Sequence, residues 1–228
     1  MTLRRCWFAA RIALAMVLVV GCTTAVQVQA LNASPRPLTP RPADEVEVIW
    51  RAFELDPGAP TDSVADLAST LAAKYGTDRD GAIAMMDRVA SVAEGVGLHY
   101  RFDLAHRSNT FDAHRVIHLA LDEGGAALQD AVKERLLAGY FTEGADLADR
   151  NVLVKLAAEA GLDAETVTGM LASDALATEV RADEAQAREY GISGVPFFLI
   201  PGAGGVSGAQ PPDRLLLMLQ RAWDKIGA

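Results

Sequence analysis

The spacing of apolar and polar residues changes several times along the chain, and each change marks an element. Residues 45–53 alternate and are rich in Val, Ile, Trp and Phe, which predicts a strand. Asp56-Pro57-Gly58-Ala59-Pro60 ends it as a loop. Helical spacing then takes over. Val64, Leu67, Leu71 and Ala72 share one face of residues 62–75, with Gly76 placed as the stop. Ile83, Met86 and Val89 share a face of residues 78–94, ended by Gly95 and Gly97, and residues 98–104 read as extended or irregular. Asn109 is placed as the N-cap of a helix over 110–122, with Asp112 as its reciprocal capping acid and Gly124-Gly125 as its end. Helices over 126–141, 150–160, 164–172 and 175–190 follow. The apolar run Phe197-Phe198-Leu199-Ile200 then reads as a buried strand. Pro196 stands at its entrance because proline has no N–H to give the ladder, and Gly191 and Gly194 supply permissive backbone before it. Residues 202–205 predict a tight turn, 206–209 a return strand, and 212–226 a last helix opened by proline. The order predicts a mixed α/β fold with its helices inserted between strands.

A length of 228 residues, half of them hydrophobic, allows one domain with a sizeable insertion and a large core. The net charge of −9, with no Lys/Arg cluster in the body of the chain, argues against a nucleic-acid partner. The acidic excess is spread over helices and reads as a solvated surface. The first 30 residues change the picture. Arg4, Arg5 and Arg11 form a basic start, and residues 12–21 are an uninterrupted apolar run too short for a comfortable membrane span. Val19-Val20-Gly21-Cys22 fits a lipobox, which makes Cys22 the expected lipidation site and membrane anchor; Val28-Gln29-Ala30 fits an ordinary signal-peptidase site instead. Either processing predicts an extracytoplasmic protein. Residues 31–44, rich in Pro, Ser and Asn, predict a linker to a domain over 45–228. Cys6 and Cys22 are the only cysteines, so cleavage before Cys22 leaves no free thiol.

Several stretches carry a family resemblance. They are Trp50-Arg51-Ala52-Phe53-Glu54-Leu55, Ser108-Asn109-Thr110-Phe111-Asp112-Ala113-His114-Arg115, Tyr140-Phe141-Thr142-Glu143-Gly144, and Leu156-Ala157-Ala158-Glu159-Ala160-Gly161-Leu162. Gly191 to Phe198 and Val206-Ser207-Gly208-Ala209-Gln210-Pro211 complete the set. In order and spacing they resemble the FrnE-like branch of the DsbA family, related to 2-hydroxychromene-2-carboxylate isomerases, over roughly residues 45–226. The resemblance implies a thioredoxin-like α/β fold with a long helical insertion, at about 61–190, and disulfide oxidoreductase chemistry on protein or peptide thiols without a cofactor. It makes Val195-Pro196 the family's cis-proline loop, which holds an extended substrate beside a Cys-x-x-Cys pair. The family also places a first strand, a Cys-Pro-Trp-Cys type motif and a long helix directly before the strand that starts here near Glu45. No such motif is present, so the first strand and first helix are expected to be absent and redox activity impaired.

Three accounts of residues 1–44 stay open. The first is a lipoprotein whose scaffold serves as a binding or chaperone-like module. The second is a misframed reading of a cytoplasmic dithiol enzyme: codons for Ala15-Met16-Val17-Leu18 can encode Pro-Trp-Cys when shifted by one base. The third is a partner chain that supplies the missing strand and thiols. Among other candidates, His114 and His118 stand at i, i+4, a spacing that can hold zinc, but no third ligand is near in sequence. They are expected to be structural, His114 in an inter-helix hydrogen bond and His118 partly exposed. Met85-Met86 and Phe197-Phe198 are expected in the core.

Overall fold

A computed structural model describes residues 25–30, 46–62, 66–105 and 107–226. Four strands and seven helices are described: β1 (Ala25–Ala30), β2 (Val46–Arg51), α1 (Leu67–Tyr75), α2 (Arg79–Glu94), α3 (Phe111–Glu143), α4 (Arg150–Glu159), α5 (Ala164–Leu171), α6 (Ala177–Glu189), β3 (Phe197–Ile200), β4 (Gly204–Ser207) and α7 (Pro212–Ile226). Helix starts follow short acceptor side chains. Asp66, Asp78, Asp149 and Asp163 each accept a hydrogen bond from a first-turn amide of the helix they precede.

The sheet order is β2-β1-β3-β4. β1 is antiparallel to β2 and parallel to β3, and β3 is antiparallel to β4. The expectation that no strand precedes residue 45 is therefore corrected. Ala25-Val26-Gln27-Val28-Gln29-Ala30 alternates apolar and polar residues, a strand period that lay hidden inside a segment read as a targeting signal. The expected absence of a first helix falls on residues outside the described ones, as do the lipobox and the linker.

α3 organises the core. It packs on β2 and on α4, α5 and α6. Sequence reading splits it at Gly124-Gly125, and both residues indeed leave helical geometry there, Gly125 at φ 67°, so the element is two helices joined at a kink. The expected capping at Asn109 is corrected: the Asn109 side chain accepts from Phe111 N at 3.0 Å, while Thr110 holds the cap position. Asp112 is no reciprocal cap, because Arg115 and Arg150 occupy both its oxygens at 2.6 and 2.8 Å. Arg115, 2% exposed, also donates to the carbonyls of Met170, Ser173 and Ala175, closing the C-terminal end of α5. Trp50 is fully buried, and its backbone N–H and C=O, which face away from β1, both bond the Gln129 side-chain amide at 2.9 Å. That amide stands in for a neighbouring strand and closes the β2 edge. The Trp50 indole donates to Asp130 at 2.9 Å, and the Lys133 ammonium lies 3.6 Å above its ring.

Candidate functional site

One end of the sheet gathers the chemistry. Ala25 pairs with Arg51, and Val26 pairs with Phe198, so the C-terminal end of β2 and the entrance of β3 lie at the same end. α6 brings the chain there. Gly191 adopts φ 67° after its last turn, a conformation glycine enters without the cost a side chain would add. Ile192 N donates back to Ala187 O at 2.8 Å, and the chain turns toward Val195. The Val195–Pro196 peptide is cis. Pro196 is buried and Val195 half-buried. The Pro196 carbonyl accepts from Gly208 N at 2.8 Å, which ties the entrance of β3 to the exit of β4. Phe198 and Ile200 anchor the strand in the core at 3% and 2% exposure. Phe197 is half-buried rather than core, and its ring lies over Gly205, where a Cβ would stand 2.4 Å from the ring tip.

At the same end of the sheet, next to β2, lies a buried polar network between the segment after β2, the first half of α3, and α6. Asp183 Oδ2 accepts from Ala52 N at 2.8 Å and pairs with His118 Nε2 at 2.9 Å, while Arg51 approaches its other oxygen at 3.6 Å. Arg181 Nη1 donates to Glu54 Oε2 at 2.5 Å and to Glu184 Oε2 at 2.8 Å. Its guanidinium lies 4.2 Å from the centre of the Phe111 ring. Glu54's side chain is fully buried and Glu184's nearly so. Burial pushes the Glu54 carboxyl above the ordinary carboxylate range; Arg181 pulls it down, and Glu184 adds to the rise.

Both histidine expectations are corrected. His118 is buried, and it, not His114, makes the inter-helix hydrogen bond. His114 is fully buried, and neither ring nitrogen has a hydrogen-bond partner among the described residues. Burial first, and the neighbouring His118 second, lower its pKa to about 4, so it is neutral at physiological pH. No group of three or more His, Cys, Asp and Glu among the described residues is placed to hold a metal ion. His99 pairs with Glu94 on the surface, and His106 lies outside the described residues, as does Cys22.

Glu54, Arg181, Asp183 and Glu184 escaped the sequence reading. One signal was present. Val180, Glu184 and Ala187 fall on the buried stripe of α6, so an acid interrupts an apolar face.

The profile of DSBA-like thioredoxin domains matches residues 26–220. The crystal structure of a probable DsbA oxidoreductase from Streptomyces coelicolor superposes with a TM-score of 0.75 at 39% sequence identity, over 89% of this chain and 91% of that one. No curated protein matches the chain. The match over residues 26–220 and the 39% identity over most of both chains place the chain in the family of DsbA-like thioredoxin domains.

Proposed function

We propose that the chain is a thiol–disulfide oxidoreductase scaffold of the FrnE-like branch, built to hold protein or peptide thiols and disulfides, and that as written it exchanges disulfides weakly or not at all. The observation that carries the reading is the Val195–Pro196 loop, fixed through Gly208 at the sheet end where the family holds substrate. Disulfide exchange proceeds by thiolate attack on a disulfide sulfur, followed by a second thiol that resolves the mixed disulfide. Cys6 and Cys22 form no Cys-x-x-Cys pair, and no other cysteine is available to resolve the intermediate. Val195 and Pro196 are assigned the substrate contact, and Cys22 the lipid anchor of an extracytoplasmic form.

The test has two readouts on the full 228-residue chain. Insulin reduction driven by a dithiol reductant is expected to stay at background. Binding of an extended, cysteine-bearing peptide, followed by fluorescence anisotropy, is expected to weaken about tenfold in Val195→Arg, the equivalent of about 1.4 kcal/mol. Turnover at the rate of a Cys-Pro-x-Cys relative would overturn the first half. Peptide binding that is absent, or indifferent to Val195→Arg, would overturn the second.

A second reading, the misframed N-terminus, is favoured by the direction of β1. A strand–helix–strand unit makes its two strands parallel, whereas β1 and β2 are antiparallel. Sequencing the 5′ end of the gene decides it: a Cys-Pro-x-Cys motif in another frame, joining near Glu45, makes the natural protein a dithiol enzyme without a lipid anchor.

A further inference from the structure

The Glu54–Arg181–Glu184 cluster is chemically unfinished. Two buried carboxylates share one guanidinium nitrogen, Nη1 of Arg181, through their Oε2 atoms. Each leaves its second oxygen, Oε1, buried and without a hydrogen-bond partner among the described residues. Two ionised carboxylates cannot satisfy one another, because both only accept. A single proton changes that: one carboxyl becomes a donor, the other stays an acceptor, and the pair carries one negative charge against one guanidinium. Leaving both ionised would bury a second, uncompensated charge.

We propose that Glu54 and Glu184 hold one proton between them and act as a pH-sensitive latch that joins α6 to the segment after β2, at the sheet end that carries the Val195–Pro196 loop. The surroundings are consistent with a shared proton. α6 contributes Arg181, Asp183 and Glu184; α3 contributes His114 and His118; β2 contributes Arg51. Asp183 is already held by His118, Ala52 N and Arg51, so it offers the pair no charge relief. His114 is neutral, so it brings no charge to the pair, and its two ring nitrogens have no hydrogen-bond partner among the described residues. Arg181 is about half exposed and provides the route by which solvent exchanges the proton.

The direction follows from the Glu54 carboxyl, whose affinity for a proton is raised in the folded protein by burial. The latch contributes its full stability below the unfolded glutamate value and loses it as pH rises through the higher folded value. Proton loss then leaves two anions on one cation, and the joint between α6 and Glu54 loosens. α6 runs into the turn that positions Val195, so the loosening reaches the loop. The latch needs no cysteine and stands or falls independently of thiol chemistry.

The test follows the wild-type chain and Glu54→Gln from about pH 5 to about pH 9, a range in which ordinary carboxylates are ionised. Infrared spectroscopy is expected to show a protonated-acid C=O band in the wild type that fades as pH rises and is missing from Glu54→Gln. Hydrogen exchange of α6 amides, corrected for intrinsic base catalysis, is expected to accelerate through the same range, by at most about tenfold per pH unit for one proton, and to be flat in Glu54→Gln. A missing band or a flat corrected profile in the wild type overturns the latch. A band that survives unchanged in Glu54→Gln overturns the assignment to this pair. Glu184→Gln gives the same comparison where Glu54→Gln does not fold, and the two wild-type titrations decide the question without any variant.

Discussion

His114 makes the sharpest test of the site's electrostatics. Its ring is fully buried and has no hydrogen-bond partner on either nitrogen among the described residues. Burial, aided by His118, holds its pKa at about 4 against an ordinary 6.5. Between those values the unfolded chain takes up a proton that the folded chain refuses, so stability falls as pH falls. The drop from 6.5 to about 4, at about 1.36 kcal/mol per pH unit, amounts to about 3 kcal/mol. The perturbation is His114→Leu, which keeps similar bulk and removes the titrating group. Urea unfolding at steps from neutral pH to about pH 4 supplies the free energies. At neutral pH the variant is expected to be at least as stable as the wild type, because two buried nitrogens without partners disappear. As pH falls from neutral to about 4, the wild type is expected to lose about 3 kcal/mol more than the variant. Other acids and bases titrate in both proteins and cancel in the difference. Stability curves that run parallel over the whole range would refute the reasoning, since they would mean that His114 takes its proton in the folded state.

Two further outcomes are expected. Gln129→Leu strands the buried N–H and C=O of Trp50 together, which is expected to cost about 2–4 kcal/mol in urea unfolding, whereas loss below about 0.5 kcal/mol would show that the edge of β2 needs no cover. Gly205→Ala drives a methyl into the Phe197 ring, 2.4 Å from its tip, and is expected to cost about 1 kcal/mol and to shift the ring resonances of Phe197 in NMR spectra; unchanged resonances would show that the ring is not seated on Gly205.

What was legible in the sequence was periodic. The helices of the insertion announce themselves through apolar stripes closed by Asp at the start and Gly at the end, and the structure keeps them within a few residues. The proline-led strand was legible because Pro196, Gly194 and the apolar run behind it admit few other arrangements. β1 was not legible, because Val-Gln alternation over six residues sits behind a basic and apolar start that dominates any local reading. The polar network was not legible for a different reason. Glu54, His118 and Asp183 lie 65 to 131 residues from the partners they meet, and no local pattern records a pairing over that distance. The exchange of roles between His114 and His118 shows the limit at its finest. Both sit on one face of α3, and only the position of Asp183 on α6 decides which ring is paired and which is orphaned.

The direction of β1 bears on the proposed redox impairment in a deeper way than a missing cysteine pair. In the family the dithiol opens the helix that follows the first strand, and it faces the proline loop. That geometry requires the first strand to end beside the entrance of β3. Here β1 begins at that end: Ala25 pairs with Arg51, and Val26 with Phe198, while Ala30 pairs with Val46 at the far end. Five residue steps at about 3.3 Å place Ala30 about 17 Å from the level of the loop. β1 therefore terminates at the end of the sheet away from Pro196. The sheet tolerates the reversal because it keeps its four-strand order and an alternating strand can pair in either direction. The chemistry does not tolerate it, because a thiol and the substrate loop have to share one end. A match to the family over residues 26–220 as a fold does not by itself carry the arrangement on which the family's reaction depends.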